Sequence, residues 1–268
     1  MLVIGLYIYG FNIGWAIAIF FASMAWTKLV GSDIMHYYFG HGKYEDSAKG
    51  YLYTFLTLAT GLGSPISFAA SHRQHHKHTD TEKDPDLSLT AAFPTSWKSL
   101  ARKFIRDLTG VAGFRRYSAA LLSAWGNEDS IFKSFSRFVS KLKGFFLTNL
   151  AIFGILFIFG YGWLYLFLWW VPMLTFFSLF YRIRSITEHS GLKGSDDFTF
   201  TRTTLVPWYL RYFLAPLNVN YHIEHHLFTF CPWYNLPKAH RFLARKGLIR
   251  EMEISKGYLP VLRKILTN

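Results

Sequence analysis

Eight of the eleven histidines in this 268-residue chain fall in three short windows. The first holds His36 and His41, the second His72, His75 and His76, and the third His222, His225 and His226. The second and third share one spacing, HxxHH, in HRQHH and HIEHH. On a helix, positions i, i+3 and i+4 lie on one face, so each of these windows is expected to aim three imidazoles at one point. A neutral imidazole is a ligand for iron, zinc, copper and nickel. The first window, HYYFGH, is different, because five residues at about 100° each put its two rings roughly 140° apart. Such a pair either straddles two ions or sits on a distorted helix end beside Gly40 and Gly42. His189, in RSITEHSG, is a ninth candidate because it closely follows an apolar run and stands beside Glu188. Nine imidazoles are too many for one ion with about four ligands. Two ions with four or five nitrogens each would use them all. His78 and His240 remain as spares, expected on the surface rather than on metal.

The elements that carry these windows are apolar. Half the chain, 51%, is hydrophobic and 19% is aromatic. Residues 1–27 and 50–72 contain no charged residue, and 145–181 is a charge-free run of 37. About 20 apolar residues span the hydrocarbon core of a bilayer as a helix, so the expected class is an all-α integral membrane protein. The formal charge of +13 is clustered: thirteen of the 29 Lys and Arg lie between Arg73 and Lys143, and Arg182 and Arg184 follow the last apolar run. That is the pattern of cytoplasmic loops, and no nucleic-acid signature accompanies it. The single Cys231 excludes an intramolecular disulfide. The N-terminus lacks the basic region and cleavage site of a signal peptide and reads as a retained span.

Three to four transmembrane helices are expected, over about 2–30, 145–161 and 163–181, with a turn at Gly160-Tyr161-Gly162. The stretch 50–71 is long enough to cross but is broken by Gly61, Gly63 and Pro65. A full crossing would put the first and second windows on opposite sides, so a re-entrant or interfacial helix is expected there. Residues 72–143 and 182–268 should then form one helical cytosolic cap that carries the metal site. Within it, Pro207–Leu217 suits an interfacial helix.

The three windows resemble the histidine boxes of the membrane fatty acid desaturase and hydroxylase superfamily. HYYFGHGKY looks like the first box, SHRQHHKHTDTEKDPD the second and NVNYHIEHHLFTFCPWYNLP the third, over roughly residues 30–240. The resemblance implies a mushroom-shaped helical membrane domain with a cytosolic cap and a non-haem di-iron centre. Its ligands would be His36, His41, His72, His75, His76, His222, His225 and His226, with His189 resembling the extra histidine between boxes two and three. Acyl-CoA members carry a metal-holding asparagine four residues before that histidine, where this chain has Ser185. Relatives usually have two crossings before the first box, and this chain has room for one.

The function that follows is O2-dependent desaturation of a long-chain fatty acyl lipid or acyl thioester by two iron ions. No side chain can remove hydrogen from an unactivated methylene unaided, and a metal that activates dioxygen can. Glu188, Glu224, Asp84, Asp86, Ser185 and Asn218 are candidates to support the ligands. Trp208, Tyr209, Tyr212, Phe213 and Trp233 either line a lipid path or anchor the chain at the interface. No cytochrome-like domain is evident, so electrons would come from a separate protein of ferredoxin or cytochrome b5 type. Two other outcomes are hydroxylation or ketolation of a lipid or carotenoid, and hydrolysis by a zinc membrane enzyme. A metal transporter would need metal-binding residues inside the spans, and the long apolar runs carry none.

Overall fold

The computed structural model describes residues 13–28, 34, 36, 38, 40–41, 47–60, 65–87, 93–192, 194, 196 and 198–267. The expected first span therefore appears only as α1, Ile13–Lys28, and its remainder lies outside the described residues. Helix α1 is apolar almost throughout, yet while Met24 and Thr27 are buried, Ile17, Phe21 and Trp26 are exposed. In water such a helix would have no reason to leave that surface uncovered.

The stretch expected as one helix over 50–71 is two, α2 (Ala48–Thr60) and α3 (Pro65–His78). Together they leave the histidine cluster and come back to it, since His41 before α2 and His72 on α3 meet at 2.7 Å. The last carbonyls of α2 end inside protein. Ala59 accepts from Asn149 Nδ2 and Trp169 Nε1, each at 3.2 Å, and Thr60 accepts from the Tyr117 hydroxyl at 2.6 Å. A helix that stops at a buried point needs such donors, because its terminal carbonyls have no partner within the helix.

Helix α4, Trp97–Leu108, is capped by Ser96, whose side chain accepts from the Ser99 amide. Helix α5, Val111–Trp125, follows at once. Two 28-residue helices come next, α6 (Ile131–Ile158) and α7 (Gly162–His189), each long and apolar enough to cross a membrane. The turn between them holds Gly160 at φ 78°, as its glycine pair implied. Helix α6 starts at Ile131, well before the expected 145. Lys133, Arg137, Lys141 and Lys143 end the apolar run, yet Lys and Arg are good helix formers, so the helix continues through them. Helix α7 likewise runs on past 181 to His189, through a π-helical turn at Leu166–Trp170.

Residues 111–117, within the segment expected to form the cap, pack against the middle of α7. Arg116 reaches Ser178 Oγ at 3.1 Å and the Met173 carbonyl at 3.3 Å. A Cβ on Gly113 would collide with the Leu174 backbone, so glycine permits the contact. Among the described residues four short α-helices follow: α8 (Trp208–Leu214), α9 (His222–Leu227), α10 (Leu236–Arg245) and α11 (Tyr258–Lys264). The fold is mostly helical, but not wholly so. Thr95–Ser96 pairs in parallel with Leu266–Thr267, and Thr203–Leu205 with Ile254–Lys256. Two apolar cores brace the histidine helices. Leu100 and Ile265 close on Ile186 of α7, and Leu243 and Met252 close on Ile223 of α9.

Candidate metal centre

Nine imidazoles converge in two adjoining sets. In the first, the Nε2 atoms run from His41 to His72 at 2.7 Å, to His76 at 3.1 Å, to His225 at 3.0 Å and to His36 at 2.8 Å. In the second, His189 and His222 bring Nε2 atoms to 2.8 Å, with His75 and His226 completing the group. The sets touch: the rings of His76 and His226 lie 4.1 Å apart between centroids.

The two HxxHH windows do not each aim at one point, as their spacing suggested. On α3, His72 and His76 join the first set while His75 joins the second. On α9 the division is reversed, with His222 and His226 in the second set and His225 in the first. The i and i+4 rings lie one turn apart, edge to face at 4.6 and 4.7 Å between centroids, and serve one set, while the ring at i+3 leans across.

His36 and His41 also reach one set, although an ideal α-helix would splay them. The backbone around His36 and Gly40 is wound as a π-helix, whose i→i+5 closure brings residues five apart onto one face. Their rings sit 5.5 Å apart. Gly40 is a second requirement of this approach. A Cβ there would lie 2.9 Å from Cδ2 of His72.

These residues fit metal ions. Ligand nitrogens about 2.1 Å from one ion lie roughly 3.0–3.4 Å from each other at tetrahedral or octahedral angles, near the separations seen. Hydrogen bonding among the rings is a poorer account. A ring nitrogen offers one proton or one lone pair, whereas Nε2 of His72, His76 and His225 each faces two other nitrogens. His226 is buried with neither ring nitrogen bonded to protein among the described residues. Each such group costs about 1–3 kcal/mol unless something else satisfies it, and a cation would satisfy the nitrogen that carries the lone pair.

The electrostatics keep the rings neutral. Burial, then neighbouring histidines, hold His36, His72, His222, His225 and His226 well below the ordinary imidazole value. Burial likewise brings His41 down to about 4 and His76 to about 3. His75 is the exception. Burial pulls it down, but the hydrogen bond and charge of Asp84 outweigh that and raise it. Asp84 Oδ1 accepts from His75 Nδ1 at 2.9 Å and from the Asp86 amide, while its Oδ2 accepts from the Asp80 amide. The proton therefore sits on Nδ1, and the lone pair of Nε2 is the one available to a metal.

A family model described as fatty acid desaturase matches residues 13–252, a span that includes all three windows and His189. The chain belongs to the fatty acid desaturase family. No curated protein matches it. As a member of that family it is an oxidoreductase of the membrane, and its histidine sets are groups able to hold metal.

Other residues singled out in this desaturase-family sequence are placed as follows. Asp84 supports a cluster histidine, with Asp86 3.9 Å from the same nitrogen. Glu188 binds Arg184 at 2.7 Å and lies 3.8 Å from His222 Nδ1. Among the described residues, Glu224 orients no cluster ring by a hydrogen bond. Its carboxylate accepts from Thr203 Oγ1 at 2.6 Å and meets His240 Nδ1 at 2.5 Å. His240 is thus mostly buried and bonded, not a surface spare. Ser185 gives its hydroxyl to the Tyr181 carbonyl of its own helix, and Asn218 ties Arg211 to the Trp233 carbonyl, so neither supports the cluster. Trp208, Tyr209, Tyr212 and Trp233 lie exposed on the surface, where anchors belong. Arg184 was missed: its buried guanidinium stands 3.3 Å from His36 Nδ1. The signal was its i,i+4 spacing from Glu188.

Proposed function

We propose that this chain holds two iron ions and uses dioxygen to desaturate a long-chain fatty acyl lipid or acyl thioester. The observation that carries the reading is the pairing of a five-imidazole set with a four-imidazole set in side-by-side contact. In this reading His36, His41, His72, His76 and His225 hold one ion and His75, His189, His222 and His226 the other. The bound pair would supply the oxidising power that removes hydrogen from an unactivated methylene. The chain's own contribution is to hold the ligand rings neutral, fix their tautomers through groups such as Asp84, and keep the site dry by burial.

The cluster belongs on the cytoplasmic side, because Arg182 and Arg184 leave the membrane beside it on α7 and basic loops surround it. Helices α2 and α3 form a re-entrant hairpin that returns the chain to that side. The lipid substrate arrives from the membrane, and electrons come from a separate carrier of ferredoxin or cytochrome b5 type.

The test is lipid profiling of cells expressing the chain or its His226→Ala variant, by mass spectrometry with double-bond localisation, together with metal analysis of purified protein. Two irons per chain and a new double bond absent from the variant are expected. One zinc per chain and no new lipid would overturn the proposal in favour of hydrolysis. A hydroxylated product without a new double bond would move it to the hydroxylase outcome.

A further inference from the structure

Helix α4, Trp97–Leu108, carries an apolar stripe that stays largely exposed among the described residues. Positions 97, 101, 105 and 108 share one face, and on it Trp97, Ile105 and Leu108 are 63%, 59% and 44% exposed. Lys98, Arg102 and Arg106, four residues apart and exposed, run beside the stripe. The other side of the helix is occupied. Leu100 is buried with Ile186 and Ile265, and Asp107 is buried in an ion pair with Arg182. That aspartate is the one acid between residues 97 and 126, against six Lys and Arg.

The Asp107–Arg182 pair also sets the depth of the helix. It is bidentate, at 2.5 and 2.9 Å. Arg182 is the first charge after the 37-residue charge-free run. On a helix that crosses a bilayer, that residue marks where hydrocarbon gives way to headgroups. Helix α4 is pinned at this level. An exposed apolar stripe rimmed by cations at the membrane surface is what an in-plane helix needs to dip its side chains into the acyl region. Its cations then meet phosphate. We infer that α4 lies in the plane of the bilayer surface and binds anionic phospholipid through Lys98, Arg102 and Arg106.

The inference rests on the membrane reading of the chain, and its failure is separable from that reading. The full chain, with its one cysteine removed as Cys231→Ser, is labelled with a nitroxide at Ile105→Cys. It is then placed in nanodiscs of phosphatidylcholine with or without phosphatidylglycerol. Collisions with oxygen are expected to exceed those with a water-soluble nickel chelate. In parallel, native mass spectrometry of the wild type should show phosphatidylglycerol retained over phosphatidylcholine. That preference should fall at least about fivefold in a Lys98→Gln, Arg102→Gln, Arg106→Gln variant. A label dominated by the nickel chelate would overturn the inference, since the stripe would then face water or a protein partner. So would an unchanged lipid preference. Protein that remains in solution without detergent or bilayer would instead refute the membrane reading itself.

Discussion

Asp84 Oδ1 lies 2.9 Å from His75 Nδ1, so a buried carboxylate from the loop after α3 sets which nitrogen of that ring is free for the second imidazole set. Partners of this kind typically contribute about 10–100-fold in metal affinity. Asp84→Ala is expected to weaken metal binding by the second set directly and by the first through it, so that the purified protein retains less metal than the wild type at the same chelator concentration. Metal analysis under limiting chelator checks this, and an unchanged stoichiometry would sink it.

Gly40→Ala tests the approach of His72. The added methyl would stand 2.9 Å from Cδ2 of that ring, too close for an undistorted contact, and the ring is the part that would move. Metal affinity and activity should fall at least about tenfold, on the scale seen when the support of a ligand is disturbed. The melting temperature of chelator-treated protein should change little, because an alanine suits a helix better than a glycine. Equal loss of metal-free stability would assign Gly40 to the backbone and not to the site.

Removing His240 should be costly although it belongs to neither imidazole set. Glu224 is fully buried and His240 holds one of its oxygens. A buried charge left without its partner typically costs about 3–5 kcal/mol. His240→Ala is expected to destabilise the protein on that scale, whereas Thr203→Val, which removes the neutral donor to the other oxygen, should cost about 1–3 kcal/mol. Thermal unfolding in detergent would compare them, and a smaller effect for His240→Ala than for Thr203→Val would refute the ranking.

Acid should weaken the chelator-treated protein over a defined window. Unfolded imidazoles titrate near 6.5, while burial holds His41 at about 4 and His76 at about 3 in the folded chain. Below pH 6.5 the unfolded chain takes up protons that the folded cluster refuses. Stability is therefore complete above about 6.5 and is lost as pH falls through about 4. His75, with its raised value, opposes this but is one ring against several. A melting temperature that stays flat between pH 7.5 and 5 in metal-free protein would contradict this.

The histidine windows were readable because ligand spacing on a helix is a local property, and the apolar runs because hydropathy is. What escaped was geometry made elsewhere. The sharing of each HxxHH window between two sets depends on how α3 and α9 face each other. The convergence of His36 and His41 depends on a π-helical winding that no residue type announces. Charge at 133–143 marked the end of an apolar run but not the end of a helix. Glu224 read as a partner for the rings beside it in sequence, yet its partner, His240, is sixteen residues away on α10. Residues 111–125 read as part of a polar cap because Arg115 and Arg116 lie in them. Their packing on α7 through Gly113 and Arg116 was not legible there.

The crossed division of His72, His75 and His76 against His222, His225 and His226 braids the two sets together. Each short helix has a hand in both, so the arrival of the first ion would draw α3 and α9 into register and prepare the neighbouring seat. Loading should then be cooperative. A half-filled protein would be scarce at equilibrium, and deleting either HxxHH window would damage both centres at once.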